Sequence, residues 1–150
     1  MIRGFQEVGN EYKKHDTPTF MPTRGSKDSA GYDFYLKEEV VLKPHDTILT
    51  FSDVKAYMQP DEVLTLYPRS SMGIKKKIRI TNGTGIIDSD YYHNTETGGN
   101  IGIALHNFGN ETITLKVGER VCQGIFSKYL IVDDDDVDNI RVGGIGSTNR

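Results

Sequence analysis

Two kinds of residue in this chain could handle a charged substrate: acids at the ends of apolar segments, and arginines beside hydroxyls and glycines. Asp33 follows Ala30-Gly31-Tyr32, and Asp88 follows Gly85-Ile86-Ile87. A carboxylate emerging from an apolar strand end can be held partly buried and used as a general base. Asp88-Ser89-Asp90 is also ordinary turn material. Arg69 precedes Ser70 and Ser71, offering a guanidinium, two hydroxyls and the N–H groups of a turn. Such a cluster can cradle phosphate, although a capped helix start is the simpler account of that segment alone. Arg120 and Gln123 lie in Gly118-Glu119-Arg120-Val121-Cys122-Gln123, where a surface strand would need no function. Arg141 precedes Gly143-Gly144-Ile145-Gly146-Ser147-Thr148. Glycines there permit close backbone approach to phosphates, and the arginine and hydroxyls supply donors. A functionless flexible tail has the same composition.

The elements that must position these groups read as strands. Sixteen glycines, five prolines and many β-branched residues point to short strands joined by turns. The clearest is Thr112 to Val117, where Ile113, Leu115 and Val117 alternate with polar residues; Val40 to Leu42, Glu62 to Tyr67, Ile101 to Leu105 and Val121 to Phe126 are further candidates. Lys43-Pro44-His45-Asp46, Gln59-Pro60-Asp61-Glu62, Phe108-Gly109-Asn110 and Val117-Gly118-Glu119 punctuate them. Ser70 to Ile74 could form a helical turn or two. Evenly spaced strands without helical crossovers predict an all-β, antiparallel barrel or jelly roll. Residues 1–132 would form this β domain. Residues 133–150 would be an acidic linker, Asp133 to Asp138, whose adjacent carboxylates favour an extended exposed chain, and a glycine-rich tail, either disordered or ordered by a ligand.

Length and charge bound the rest. The 150 residues fit one domain able to bury its own core. Cys122 is the single cysteine, so no intrachain disulfide forms, which suits a reducing cytoplasm. The N-terminus lacks the apolar core of a signal peptide, and no apolar run is long enough to span a bilayer; a cytoplasmic protein with no membrane partner is expected. A net charge of −3 argues against a broad nucleic-acid surface. It leaves room for a nucleotide, because two or three well-placed cations neutralise a few phosphates. Lys75-Lys76-Lys77 with Arg79 reads first as a solvated turn or strand edge.

Taken together and in order, these segments resemble the five motifs of the trimeric dUTPase family across nearly the whole chain. The connecting text, Leu42-Lys43-Pro44 and Gly99-Asn100-Ile101-Gly102 before Asn107-Phe108, is similar as well. The resemblance implies a distorted antiparallel jelly roll, a homotrimer with three shared sites, and Mg²⁺-dependent hydrolysis of dUTP to dUMP and pyrophosphate. In that arrangement the phosphate-binding segments, the uracil-binding hairpin and the tail of one site come from different chains. Asp33 would hold Mg²⁺ through water ligands, as suits a hard cation that keeps several waters. Arg69, Ser70, Ser71 and Gln123 would contact the phosphates, with Arg120 more structural. Asn82 would read the uracil edge, Gly85, Ile86 and Ile87 would line the hairpin that receives deoxyuridine, and Gly102 would touch the base through its backbone. Tyr91 would lie beneath the deoxyribose and exclude a 2′-hydroxyl. Asp88 would activate the attacking water, and Arg141, Ser147 and Thr148 would close over the γ-phosphate.

The chain departs from the family pattern in three places. Ser71 stands where the family has glycine. His93-Asn94-Thr95-Glu96-Thr97-Gly98 is an insertion in the hairpin. Ile145 replaces the tail phenylalanine that stacks on uracil, and both of these last changes are more typical of Gram-positive bacterial and phage members. Either Tyr92 supplies the missing lid, or Ile145 alone caps the base. Two other functions fit the scaffold. A dCTP deaminase-type relative would need an acid beside the base, for which Glu96 is the candidate. A nucleotide-gated interaction protein of the phage type would bind a regulatory protein, and the insertion could serve that role, although loops tolerate functionless insertions.

Overall fold

The computed structural model describes residues 1–146. Twelve strands follow one another with almost no helix: β1 (Gly4–Glu7), β2 (Thr23–Arg24), β3 (Tyr32–Tyr35), β4 (Val40–Leu42), β5 (Thr47–Phe51), β6 (Val54–Tyr57), β7 (Glu62–Pro68), β8 (Ile78–Ile80), β9 (Gly85–Asp88), β10 (Gly102–Asn107), β11 (Ile113–Leu115) and β12 (Arg120–Lys128). Among the described residues every strand pair is antiparallel. One sheet has the order β2-β3-β12-β7-β9 and a second the order β5-β10-β8, with two-stranded pairs β1-β6 and β11-β4 beside them. The distorted antiparallel β architecture expected from the sequence is therefore present. Ser71–Lys75 forms a single wide helical turn, as the Ser70 to Ile74 segment predicts.

Period-two burial explains why these segments are strands. In β7 Leu64 and Leu66 point inward while Val63 and Thr65 are half-buried, and in β10 Ile103, Leu105 and Asn107 point inward. The inward faces build one core, with Phe34, Leu42, Leu64, Ile78, Leu105 and Leu115 nearly inaccessible. Removal of this apolar surface from water is the main stabilising term. The Cys122 thiol is fully buried in that core, and burial pushes its pKa up, so it is not a reactive thiol.

Two features of the frame matter for chemistry. Between Arg120 and Cys122 the pairing of β12 with β3 slips by a residue. Such a bulge re-aims side chains; here Val121 and Cys122 are both buried, and Arg120 and Gln123 end up on the side of Asp33. The other is the turn Thr81–Thr84. It connects two sheets, because β8 bonds to β10 whereas β9 bonds to β7. Its arms splay, and the space between them is a cleft. Gly83 at the tip has φ +85°, a conformation that favours glycine.

Candidate active site

The predicted residues gather at two places. The first is a cation cluster at the end of β7. Asp33 is buried on β3, opposite Gln123 of β12. Arg69, just beyond β7, donates from Nε to Asp33 Oδ1 at 3.0 Å and from Nη1 to Ser71 Oγ at 3.3 Å. Arg120 approaches Asp33 Oδ2 at 3.6 Å, and Gln123 Nε2 donates to the Pro68 carbonyl at 3.3 Å. Asp33 thus aims two guanidiniums while Ser70 stays exposed beside them. One buried acid shared by two arginines leaves net positive charge, the electrostatics an oligophosphate needs.

The second place is the cleft between the sheets, about 310 Å³ in volume, walled by Leu66, Asn82, Gly85, Ile86, Ile87 and Gly102 and covered by Ile145. Its lining is apolar apart from Thr81, Asn82 and the backbone, suited to a flat ring read along one edge. Gly102 keeps the cleft open from the far wall: a Cβ there would lie 3.0 Å from Leu49 and 3.1 Å from Phe51. Along β9 Ile87 turns toward the core while Ile86 and Asp88 share the exposed face. A carboxylate therefore stands at the mouth of the cleft.

Burial pushes the Asp88 pKa above the ordinary carboxylate range, the Arg141 charge pulls it back and the Asp90 charge raises it again. Arg141 bridges the two acids, donating from Nη2 to Asp88 Oδ2 and from Nε to Asp90 Oδ1, each at 2.7 Å. Its guanidinium also lies 5.9 Å from the centre of the Tyr91 ring. The Tyr91 hydroxyl donates to the Asn100 carbonyl at 2.6 Å, and burial raises its pKa. Asn100 is a positioning residue that sequence reading did not single out. Its side chain pairs with the backbone N–H and the carboxylate of buried Asp53, both at 2.9 Å, and with the Tyr12 carbonyl at 3.1 Å. The signal available was an asparagine directly before an apolar strand, too common to stand out.

The tail meets the turn of its own chain. Arg141 reaches Asp88, and Ile145 lies over the cleft. Ser147 and Thr148 lie outside the described residues. Gly143 and Gly144 are close-packed, against Glu96 and Tyr91, where the sequence suggested phosphates. Tyr92 is elsewhere: its ring packs near Tyr57 and His93, Lys55 Nζ sits 4.2 Å from its centre, and its hydroxyl bonds to Gln6. The structure thus brings Ile145 to the cleft and leaves Tyr92 outside its lining. Glu96 accepts from the Gly144 N–H at 3.3 Å and does not line the cleft. It is not placed to activate water beside a base.

The two places are far apart in one chain. Asp88 lies opposite Val63 and Gln123 opposite Tyr67 on β7, and β3 is three strands from β9. Four steps along a strand and three across the sheet separate Asp88 from Asp33 by roughly 19 Å.

Comparison with known proteins identifies the family. A family model described as dUTPase matches residues 17–149. The chain is 41% identical over 149 residues to the deoxyuridine 5′-triphosphate nucleotidohydrolase of Lactococcus lactis subsp. lactis, covering 98% of this chain and 97% of that one. The rat enzyme of the same name is 34% identical over 134 residues, covering 86% and 62%. Among solved structures, the dUTPase of Streptococcus mutans superposes with a TM-score of 0.76 at 38% identity, covering 87% of this chain and 98% of that one. The dUTPase from phage phi11 of S. aureus superposes at 0.73 with 21% identity, covering 93% and 98%, a likeness of fold. With the motif residues gathered in the family's order around one cleft and one cation cluster, the chain belongs to the dUTPase family.

Proposed function

We propose that the chain is a dUTP diphosphatase that hydrolyses dUTP to dUMP and pyrophosphate at sites shared between the chains of a homotrimer. The observation that carries the reading is the position of Asp88, half-exposed at the last residue of the strand that walls the cleft. Uracil enters the cleft, where Asn82 and the backbone near Gly85 and Gly102 read its edge. Cytosine would leave such groups unpaired, and the thymine methyl would meet the tight turn. Tyr91 lies beneath the sugar. Asp88 takes a proton from a water, the water oxygen bonds to the α-phosphorus, and the bond to the bridging oxygen breaks as pyrophosphate leaves. Arg69, Ser71 and Gln123 hold the departing charge, and such preorganised donors supply much of the rate.

Among the described residues no three acids, histidines or cysteines converge on a metal-sized gap. Asp33 would hold Mg²⁺ through water, and the ion would add charge neutralisation to that of the arginines. The trimer is supported by the distance of roughly 19 Å between Asp88 and Asp33, which one triphosphate and one activated water do not bridge. Leu130, Ile131, Val132, Val137 and Ile140, all exposed, are further apolar surface for a neighbouring chain to cover. No helix is long and apolar enough to cross a membrane among the described residues.

Pyrophosphate release measured with dUTP, UTP, dCTP and dTTP side by side tests the function. Turnover confined to dUTP is expected; ammonia release from dCTP would move the chain to the deaminase class. The lid has its own test. Ile145→Ala should weaken binding of a non-hydrolysable dUTP analogue about three- to tenfold, since it strips apolar cover from the base, and Tyr92→Ala should leave binding unchanged. The reverse pattern in calorimetry would make Tyr92 the lid.

A further inference from the structure

The turn between β5 and β6 carries two features that oppose folding. Asp53 has φ +59°, in the left-handed region that an aspartate enters at a cost, and it is fully buried. A buried carboxylate persists only where donors surround it. Its Oδ1 accepts from the Lys14 N–H and from Asn100 Nδ2, each at 2.9 Å. Its Oδ2 accepts from the His15 N–H at 3.1 Å and lies 3.0 Å from His15 Nδ1. The backbone is used as fully: the Asp53 N–H donates to Asn100 Oδ1 at 2.9 Å, and the Asp53 carbonyl accepts from the Val8 N–H at 3.1 Å. Burial alone would raise the Asp53 pKa, but the Lys14 N–H, the Asn100 amide and His15 hold it below the ordinary carboxylate range. Strain of this kind is retained where the surroundings over-determine it, often beside functional groups.

These bonds converge on one side chain. Asp53 meets the Asn100 amide with a donor and an acceptor at once, and Asn100 Nδ2 donates a further bond to the Tyr12 carbonyl at 3.1 Å. Asn100 is itself fully buried, so its amide has no freedom left to turn. Its main chain is held too. The Asn100 N–H donates to the Thr97 carbonyl at 3.1 Å, and the Ile101 N–H to the Val54 carbonyl at 2.9 Å. The Asn100 carbonyl is thereby fixed, and it is the acceptor of the Tyr91 hydroxyl at 2.6 Å. The other end of Tyr91 is tied down by Asn94, whose Nδ2 and N–H donate to the Tyr91 carbonyl at 2.6 and 3.3 Å. A ring tethered at both ends is held against tipping.

Resting on the functional reading above, in which Tyr91 lies beneath the sugar, we propose that Asp53 is a positioning residue that sets the choice between deoxyribose and ribose. It touches no substrate. It fixes the Asn100 amide, Asn100 fixes the Tyr91 hydroxyl, and the fixed ring leaves no room for a 2′-hydroxyl. Exclusion by a ring is only as strong as the tether of that ring: one free to swing yields to the extra oxygen at the cost of a single hydrogen bond. A deoxyribose has no oxygen at that place and needs no such rigidity. The tether therefore matters for UTP far more than for dUTP.

Asparagine tolerates the left-handed region, so Asp53→Asn keeps the turn but makes one of the two acceptor oxygens a donor. It should raise kcat/KM for UTP about two- to tenfold, the worth of one hydrogen bond, with kcat/KM for dUTP little changed. Glycine adopts the same φ freely, and Asp53→Gly, in which water can replace the carboxylate, should give the same change and serves wherever the asparagine variant does not fold. Tyr91→Phe keeps the ring and drops the tether. It should raise UTP turnover by a similar factor, and Asp53→Asn should add nothing to it. A merely structural Asp53 would lower both substrates together and leave their ratio unmoved. That result, or an Asp53→Asn effect undiminished in the Tyr91→Phe background, overturns the proposal. Flips of the Tyr91 ring, read by NMR relaxation of labelled tyrosines in nucleotide-free protein, should quicken in Asp53→Asn. This readout needs no turnover: wild-type protein inert toward dUTP overturns the functional reading, whereas unchanged ring flips beside an active wild type overturn the Asp53 tether alone.

Discussion

Asp88→Asn is expected to lower dUTP turnover by about 10²–10⁴, the usual worth of a positioned general base, while a non-hydrolysable analogue still binds. The amide keeps the shape of the carboxylate and an oxygen that can accept from Arg141, but it cannot take a proton. The same logic fixes the pH dependence. A base works only when ionised, so kcat/KM should fall as pH drops through the raised pKa of Asp88. That acidic limb reports the free enzyme, in which the Arg141 guanidinium lies 2.7 Å from Asp88. Arg141→Ala removes the charge that holds the pKa down, leaving burial and Asp90 to push it up, so the limb should shift to higher pH. Rate profiles of wild type and both variants check this. Near-wild-type turnover in Asp88→Asn would place the base elsewhere, and a limb unmoved by Arg141→Ala would separate the tail from Asp88 in solution.

How far the sequence showed this arrangement depends on whether the deciding contacts are local. Val40–Leu42 appears as expected, and Glu62–Pro68 and Arg120–Lys128 run slightly beyond their expected ends. Thr112 to Val117 shrinks to Ile113–Leu115 because its partner, Val40–Leu42, is only three residues long. Strands β5 and β6 were not legible: Ile48 and Leu49 are adjacent and break the alternation. The turn between these strands relies on buried Asp53 at φ +59° and its bonds to Asn100, 47 residues away. The bulge that brings Arg120 to Asp33 likewise depends on a distant strand. Each site segment was ambiguous alone, and it was resemblance over the whole chain that assigned roles. Resemblance is silent where the chain is unlike its family, so only the geometry shows that Thr95 and Glu96 bond to Val142 and Gly144.

Mixing two inactive variants should restore activity if the cation cluster and the cleft of one site belong to different chains. Arg69→Ala removes a guanidinium from the cluster, and Asp88→Asn removes the base; each homotrimer should be nearly inert. In trimers refolded from an equal mixture, a site is whole when its cleft comes from an Arg69→Ala chain and its cluster from an Asp88→Asn chain. Random assembly of a closed ring makes about a quarter of the sites whole, so about a quarter of wild-type activity should return. If both halves of a site came from one chain, nothing would return. The tail gives a second mixture. If the tail of one site comes from a different chain than its cleft, as the family resemblance implies, chains lacking the tail should be rescued by Asp88→Asn chains, because a cleft with an intact base can then receive a tail from a neighbour. No recovery in that mixture would mean that each tail serves the cleft of its own chain. Recovery in both mixtures would assign the cleft with its base, and the tail and the phosphate-binding cations, to different chains.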